Sequence, residues 1–182
     1  VRRVACIHDK GYYGKEQAEL AKKYFEQSGI DVALFEGITP GAVDYSAVVQ
    51  KIKRTAPDLV MFGGYHPEAS KIISLIRKKQ IDTLFMGVDG IKDDTFIRVA
   101  GDYSEGVYAT GPKDVSQNSM YKEAKREHEL EYGSDPGAFY FSAYTAITAV
   151  LNAIEETGST DYEALKNAMQ SHIVNTPLGS IS

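Results

Sequence analysis

Apolar positions in the first part of the chain come in short solid runs separated by amphipathic stretches. Val4-Ala5-Cys6-Ile7, the four residues 32–35, Leu59-Val60-Met61-Phe62 and Leu84-Phe85-Met86 each read as a strand. The run at 59–62 has no polar interruption, the mark of a strand covered on both faces. Between these runs the period changes to that of a helix. Residues 15–28 place Ala18, Ala21, Tyr24 and Phe25 on one side, and Gly29 follows as a stop. Asp44-Tyr45-Ser46 opens a second helix carrying Val48, Val49 and Ile52, closed by Pro57. Pro67 suits the first turn of a third, with Ile72, Ile73 and Ile76 turned to the sheet. A short helix over 95–99 leads to a fifth strand over 106–110. Strands alternating with helices form βαβ units, whose right-handed crossovers require a parallel sheet. Residues 1–112 are therefore expected to form an α/β, doubly wound layer.

Beyond residue 112 the alternation breaks. A charged helix is expected over 116–132 and another over 161–172, with Thr160 as its N-cap. Between them, 138–156 carries Tyr140, Tyr144, Ile147, Val150, Leu151 and Ile154 on one side and Phe139, Phe141 and several alanines elsewhere. An apolar surface nearly all round predicts a buried helix.

Composition narrows the function classes. The 182 residues are 43% hydrophobic and 25% charged, ordinary for a globular protein, and the formal charge is -5. No lysine/arginine cluster is long enough to track a phosphate backbone, which argues against a nucleic-acid partner. The single cysteine, Cys6, lies in the first apolar run and reads as a small buried hydrophobe. No run approaches the roughly 18 apolar residues of a membrane span. The chain begins at Val1 inside a strand pattern and ends in an apolar-alternating piece, so it reads as part of a longer protein.

Candidate chemistry gathers in the loops that follow strands one, three and four: His8-Asp9-Lys10-Gly11-Tyr12-Tyr13-Gly14, Gly63-Gly64-Tyr65-His66-Pro67-Glu68 and Gly87-Val88-Asp89-Gly90. In an open parallel sheet, ligands bind outside the carboxyl ends of the strands. Gly-Tyr-Tyr-Gly matches neither a dinucleotide fingerprint nor a Walker loop, and its tyrosines obstruct close approach of a pyrophosphate to the backbone. A receiver domain needs an aspartate where this chain has Phe62-Gly63-Gly64. Catalysis or metal binding by His8, Asp9, His66, Glu68 and Asp89 stands against a simpler reading. Asp9 ties its own loop, and Glu68 complements a helix N-terminus. His128 reads as a solvated helix-face residue. Noncatalytic binding uses Tyr13 and Tyr65 as walls with polar tips and Asp89 as a partner for an ammonium group.

Taken in order, His8-Asp9-Lys10, Tyr13-Gly14, Gly37-Ile38-Thr39, Asp44-Tyr45-Ser46, the Gly63 to Glu68 run and Phe85-Met86-Gly87 carry a resemblance. So do Asp135-Pro136-Gly137-Ala138-Phe139 and Thr176-Pro177-Leu178-Gly179. The chain resembles branched-chain amino-acid-binding proteins, the type I periplasmic substrate-binding proteins of ABC importers, over almost all its length. The resemblance implies one lobe of a two-lobed clamp that captures a free amino acid without chemistry, cofactor or metal, and hands it to a membrane permease. An extracytoplasmic, typically periplasmic, location follows for the parent protein. Tyr13 and Tyr65 match ligand-contacting positions, and Asp89 falls where leucine/isoleucine/valine binders carry a glutamate that receives the α-ammonium. Phe139 matches a position presented to the ligand's side chain. Residues 113–172 correspond to helices of an N-terminal lobe, and 173–182 to a strand returning to the α/β lobe.

Without that lobe, helix 138–156 exposes side chains worth roughly 1.5–3 kcal/mol each. Pairing with a second copy, or refolding onto residues 1–112, is the expected way to hide them. Alternatives are a sensing or regulatory domain of the same fold, or a small metal-dependent hydrolytic enzyme built on His8, His66 and Asp89.

Overall fold

The computed structural model describes residues 1–182 except Pro112, Ala138, His172, Ile173 and Ser182. The chain divides into two compact units, Val1–Pro112 and Lys113–Ser182.

In the first unit, β1 (Arg3–His8), β2 (Asp31–Gly37), β3 (Leu59–Gly63), β4 (Leu84–Gly87) and β5 (Val107–Ala109) form one parallel sheet in the order β2-β1-β3-β4-β5. The connecting helices are α1 (Tyr12–Gln27), α2 (Ser46–Thr55), α3 (His66–Lys78) and α4 (Asp94–Ala100). The α/β, doubly wound expectation holds. Side-chain alternation along the strands sorts the core into two layers. Ala5, Ile7, Val60, Phe62 and Phe85 meet Val49, Ile52, Ile72, Ile73, Ile76 and Phe96 from α2, α3 and α4. Val4, Cys6, Leu59 and Met61 meet Ala18 and Phe25 of α1 on the other face. Burial raises the Cys6 thiol to about 11, consistent with the packing role expected for it. That second layer is narrower. Leu84 and Tyr108 stay exposed.

Strand order changes direction between β1 and β3, the topological switch point of such a sheet. The close fit there is made by glycine. A Cβ on Gly63 would lie 2.1 Å from the Gly14 carbonyl oxygen, so the start of α1 and the end of β3 approach nearer than any side chain permits. Helix α1 begins three residues before the expected start. Gly11 offers no capping side chain, and Asp9 serves from two positions earlier by accepting the Gly11 N–H at 2.9 Å.

The second unit holds α5 (Ser119–Tyr132), α6 (Tyr140–Thr157), α7 (Tyr162–Ser171), β6 (Val174–Thr176) and β7 (Gly179–Ile181). Asn118 caps α5, so the helix starts later than the expected residue 116, and its amide also donates to the Thr176 carbonyl at 2.9 Å. At the start of α7 the capping oxygen belongs to Asp161, which accepts the Ala164 N–H at 3.0 Å; Thr160 does not take the expected role. Where one terminal strand was expected, β6 and β7 pair with each other antiparallel.

Helix α6 corrects a second expectation. Thr145, Ala149 and Ala153 are buried, but Ile147 and Leu151 are 61% and 59% exposed. Its packed neighbours are α7 and β6. No described helix is long and apolar enough to cross a membrane.

Candidate binding site

Three strand ends deliver the site of the first unit. The loop after β1 carries Asp9 and enters α1 at Tyr12 and Tyr13. The loop after β3 is Gly64-Tyr65, directly before α3, and β4 runs through Val88 into a single 3-10 turn, Asp89–Ile91. The loops are locked to one another. The Asp9 N–H donates to the Gly63 carbonyl at 3.0 Å. A Cβ on Gly90 would meet the Gly64 oxygen at 2.5 Å and the Tyr65 ring at 3.1 Å, so the third loop lies hard against the second.

On this frame sit three of the four expected site residues. The half-buried Tyr13 hydroxyl donates a short hydrogen bond to Asp89 Oδ1, across 76 positions of sequence. The Tyr13 and Tyr65 rings are tilted against each other with centroids 5.4 Å apart, and Tyr65 is 41% exposed. Burial, reinforced by the hydrogen bond to the Asp89 carboxylate, holds the Tyr13 phenol well above its ordinary range. Tyr13 is thus a firm donor at neutral pH. Phe139, the fourth, belongs to the second unit. It occupies the N-cap position of α6 and is exposed.

Of the remaining acid and base candidates, His66 is the first residue of α3, and Asp9, His8 and Glu68 are tied to backbone. Asp9 is buried and fills the N-terminal turn of α1, where an anionic ligand would otherwise bind. Buried His8 accepts the Lys10 N–H at Nδ1, 3.1 Å away, and its ring lies 5.1 Å from Phe35. Burial lowers its pKa, with Asp9 opposing. Glu68 is buried as well, and Oε1 accepts the Gly41 N–H at 3.0 Å. That bond ties the turn after β2 to α3. Among the described residues no three His, Cys, Asp or Glu side chains are grouped to hold a metal ion.

The site can therefore do three things. Its carboxylate is oriented by a phenol, it is flanked by an aromatic face, and it stands at a sheet edge whose helix N-terminus is already neutralised. It suits a cationic group attached to an apolar body.

Comparison with known proteins bears on the whole chain. The family described as "Periplasmic binding protein" matches residues 1–182. A leucine-, isoleucine-, valine-, threonine- and alanine-binding protein of Pseudomonas aeruginosa is 34% identical over 180 residues, which is 99% of this chain and 48% of that protein. The Leu/Ile/Val-binding protein of Citrobacter freundii is 30% identical over 181 residues, 100% of this chain and 49% of the relative. The chain spans about half the length of the curated relatives it matches. Among solved structures, a leucine binding protein from Thermotoga maritima superimposes with a TM-score of 0.87 at 24% identity, covering 98% of this chain and 52% of that one. A branched-chain amino acid transporter substrate binding protein from Streptococcus pneumoniae, in complex with isoleucine, gives 0.81 at 23% identity, covering 100% and 52%. At these identities the superpositions establish the fold.

Proposed function

The chain belongs to the periplasmic binding protein family, and on that footing we propose that it supplies one lobe of a two-lobed clamp for a free amino acid. The ligand is of the branched-chain type and is held without chemistry outside the cytoplasm for delivery to the permease of an ABC importer. Residues 113–172 are assigned to the other lobe of that clamp, which also covers the exposed stripe of α6; a second copy of the chain is the competing cover. Relatives named for leucine, isoleucine and valine binding support the ligand class.

The observation that carries the reading is the hydrogen bond from Tyr13 to Asp89 at the switch point of the sheet. A carboxylate offers about four acceptor positions, and one phenol occupies a single one. Tyr13 thus fixes the direction of the group, while acceptor capacity remains for the three N–H donors of an ammonium. Tyr13 and Tyr65 form an apolar wall beside it, and Phe139 meets the ligand's side chain. Orienting the carboxylate before the ligand arrives lowers the entropy cost of binding.

Calorimetric titration of the two-lobed protein with a panel of amino acids tests this. Binding of leucine, isoleucine or valine, with the ligand recovered unchanged, is the expected result. Absence of any amino-acid binding, or metal-dependent turnover, would overturn it. Binding without a role in uptake would favour the sensing alternative.

A further inference from the structure

The turn that carries Asp89 meets both tyrosines of the site through a residue with no side chain. Within the turn, the Ile91 N–H donates to the Val88 carbonyl at 3.1 Å and the Lys92 N–H to the Asp89 carbonyl at 2.9 Å. The Val88 N–H ties its start to the Phe62 carbonyl of β3 at 3.2 Å. These bonds close the turn and anchor it to the sheet, and none of them involves Tyr13 or Tyr65. Gly90 reaches both. Its N–H donates to the Tyr13 hydroxyl oxygen, the same hydroxyl that donates to the Asp89 carboxylate. On its other side, a Cβ would fall 2.5 Å from the Gly64 carbonyl oxygen and 3.1 Å from Tyr65 Cδ1.

The φ of Gly90 lies outside the left-handed region, so it is the lack of room that demands glycine. Neither wall of the gap gives way easily. Gly64 is backed by the Phe62 ring and by Asp9 Oδ2, which a Cβ on Gly64 would meet at 2.9 and 3.0 Å. Behind the Asp89 turn, Ile91 is buried against β4, where a Cβ on Gly87 would fall 2.5 Å from Ile91 Cδ1. A methyl group at position 90 therefore has to displace the turn, and the Asp89 carboxylate moves with it.

We propose that Gly90 is a positioning residue for ammonium recognition: by admitting no side chain, it keeps the Asp89 carboxylate in register with the Tyr13 hydroxyl. This rests on the reading of Asp89 as the acceptor of a ligand's ammonium group. A charge-assisted bond depends on distance and direction, so a carboxylate carried off its partner loses the ammonium while the apolar contacts of the ligand remain.

The test measures leucine and its deaminated analogue, 4-methylpentanoate, by calorimetry in the two-lobed protein. Gly90→Ala is expected to lower the advantage of leucine over the analogue about tenfold or more, the worth of a hydrogen bond to a charged group. In an Asp89→Ala background the same substitution should change leucine affinity less than about twofold, because the group it displaces is already gone. A merely structural role would weaken both ligands alike and act equally in both backgrounds, and that result overturns the proposal. Should melting curves show that Gly90→Ala does not fold, Tyr13→Phe removes the oxygen shared by Gly90 and Asp89 without adding bulk. An undiminished leucine advantage in that variant also overturns the proposal. If the unaltered protein shows no leucine advantage at all, the reading of Asp89 fails, and the role of Gly90 falls with it.

Discussion

Residues 1–112 and 113–182 both carry helices with apolar side chains, yet they bury them to different ends. In the first unit the large aliphatic side chains of α2 and α3 point into a sheet, and Val49, Ile52, Ile72, Ile73 and Ile76 are fully enclosed. In the second, α6 encloses alanines and leaves Ile147 and Leu151 in solvent. Among the described residues the buried side-chain polar atom without a hydrogen-bond partner, Thr145 Oγ1, is also in α6. The first unit satisfies its own burial. The second leaves large apolar side chains of α6 uncovered, and the chain spans about half the length of the curated relatives it matches.

The widest separation between the two regions is expected from equivalent truncations. Phe62→Ala, at a fully buried position, should cost about 3–5 kcal/mol, whereas Leu151→Ala should stay within about 0.5 kcal/mol. Urea unfolding of the chain, followed by circular dichroism, measures both. A loss at Leu151 comparable to that at Phe62 would break the comparison.

A smaller effect probes how closely the site loops fit. Gly63→Ala forces a methyl group against the Gly14 carbonyl and should destabilise the first unit by about 1–3 kcal/mol. The same substitution at Gly137, where added atoms meet open space, gives the control for the second unit. Equal unfolding midpoints for the two variants would show that the loops are not packed as described.

The smallest expected effect is on pH dependence. Burial depresses the His8 pKa, so the folded state binds fewer protons than the unfolded state below the ordinary value of 6.5. Its contribution is present above that pH and is lost as pH falls through the folded-state value. Melting temperatures of the chain at pH 8 and pH 5 should therefore differ more for the unaltered protein than for His8→Gln. Identical differences would remove His8 as a contributor to acid sensitivity.

Much of the sheet was legible because buried parallel strands leave solid apolar runs. Leu59-Val60-Met61-Phe62 became β3, and the isoleucines after Pro67 became the inner face of α3. Helix starts were less so, since a cap can act from outside its usual position, as Asp9 does for α1. Helix α6 was read as buried from its apolar surface, and its exposure was expected only from the resemblance. Periodicity reports that a surface is apolar, not which chain covers it. Within the site, residue types at the strand ends pointed to Tyr13, Tyr65 and Asp89. The bond between Tyr13 and Asp89 was not readable, because it depends on how three loops interlock. His128 looked solvated from its charged neighbours, yet its ring lies against Tyr132 and its Nδ1 is 3.0 Å from the Ser134 carbonyl oxygen.

The claim that the first unit recognises an amino acid through Asp89 is tested most directly by removing the two interacting charges in turn. Affinities for leucine and for its deaminated analogue, 4-methylpentanoate, would be measured by calorimetry in the two-lobed protein and in Asp89→Ala. A buried, hydrogen-bonded charge pair costs about 2–5 kcal/mol when one partner is truncated. Leucine should therefore hold a large advantage over the analogue in the unaltered protein, and Asp89→Ala should erase most of it. An advantage that survives in Asp89→Ala would place the ammonium elsewhere and contradict the account.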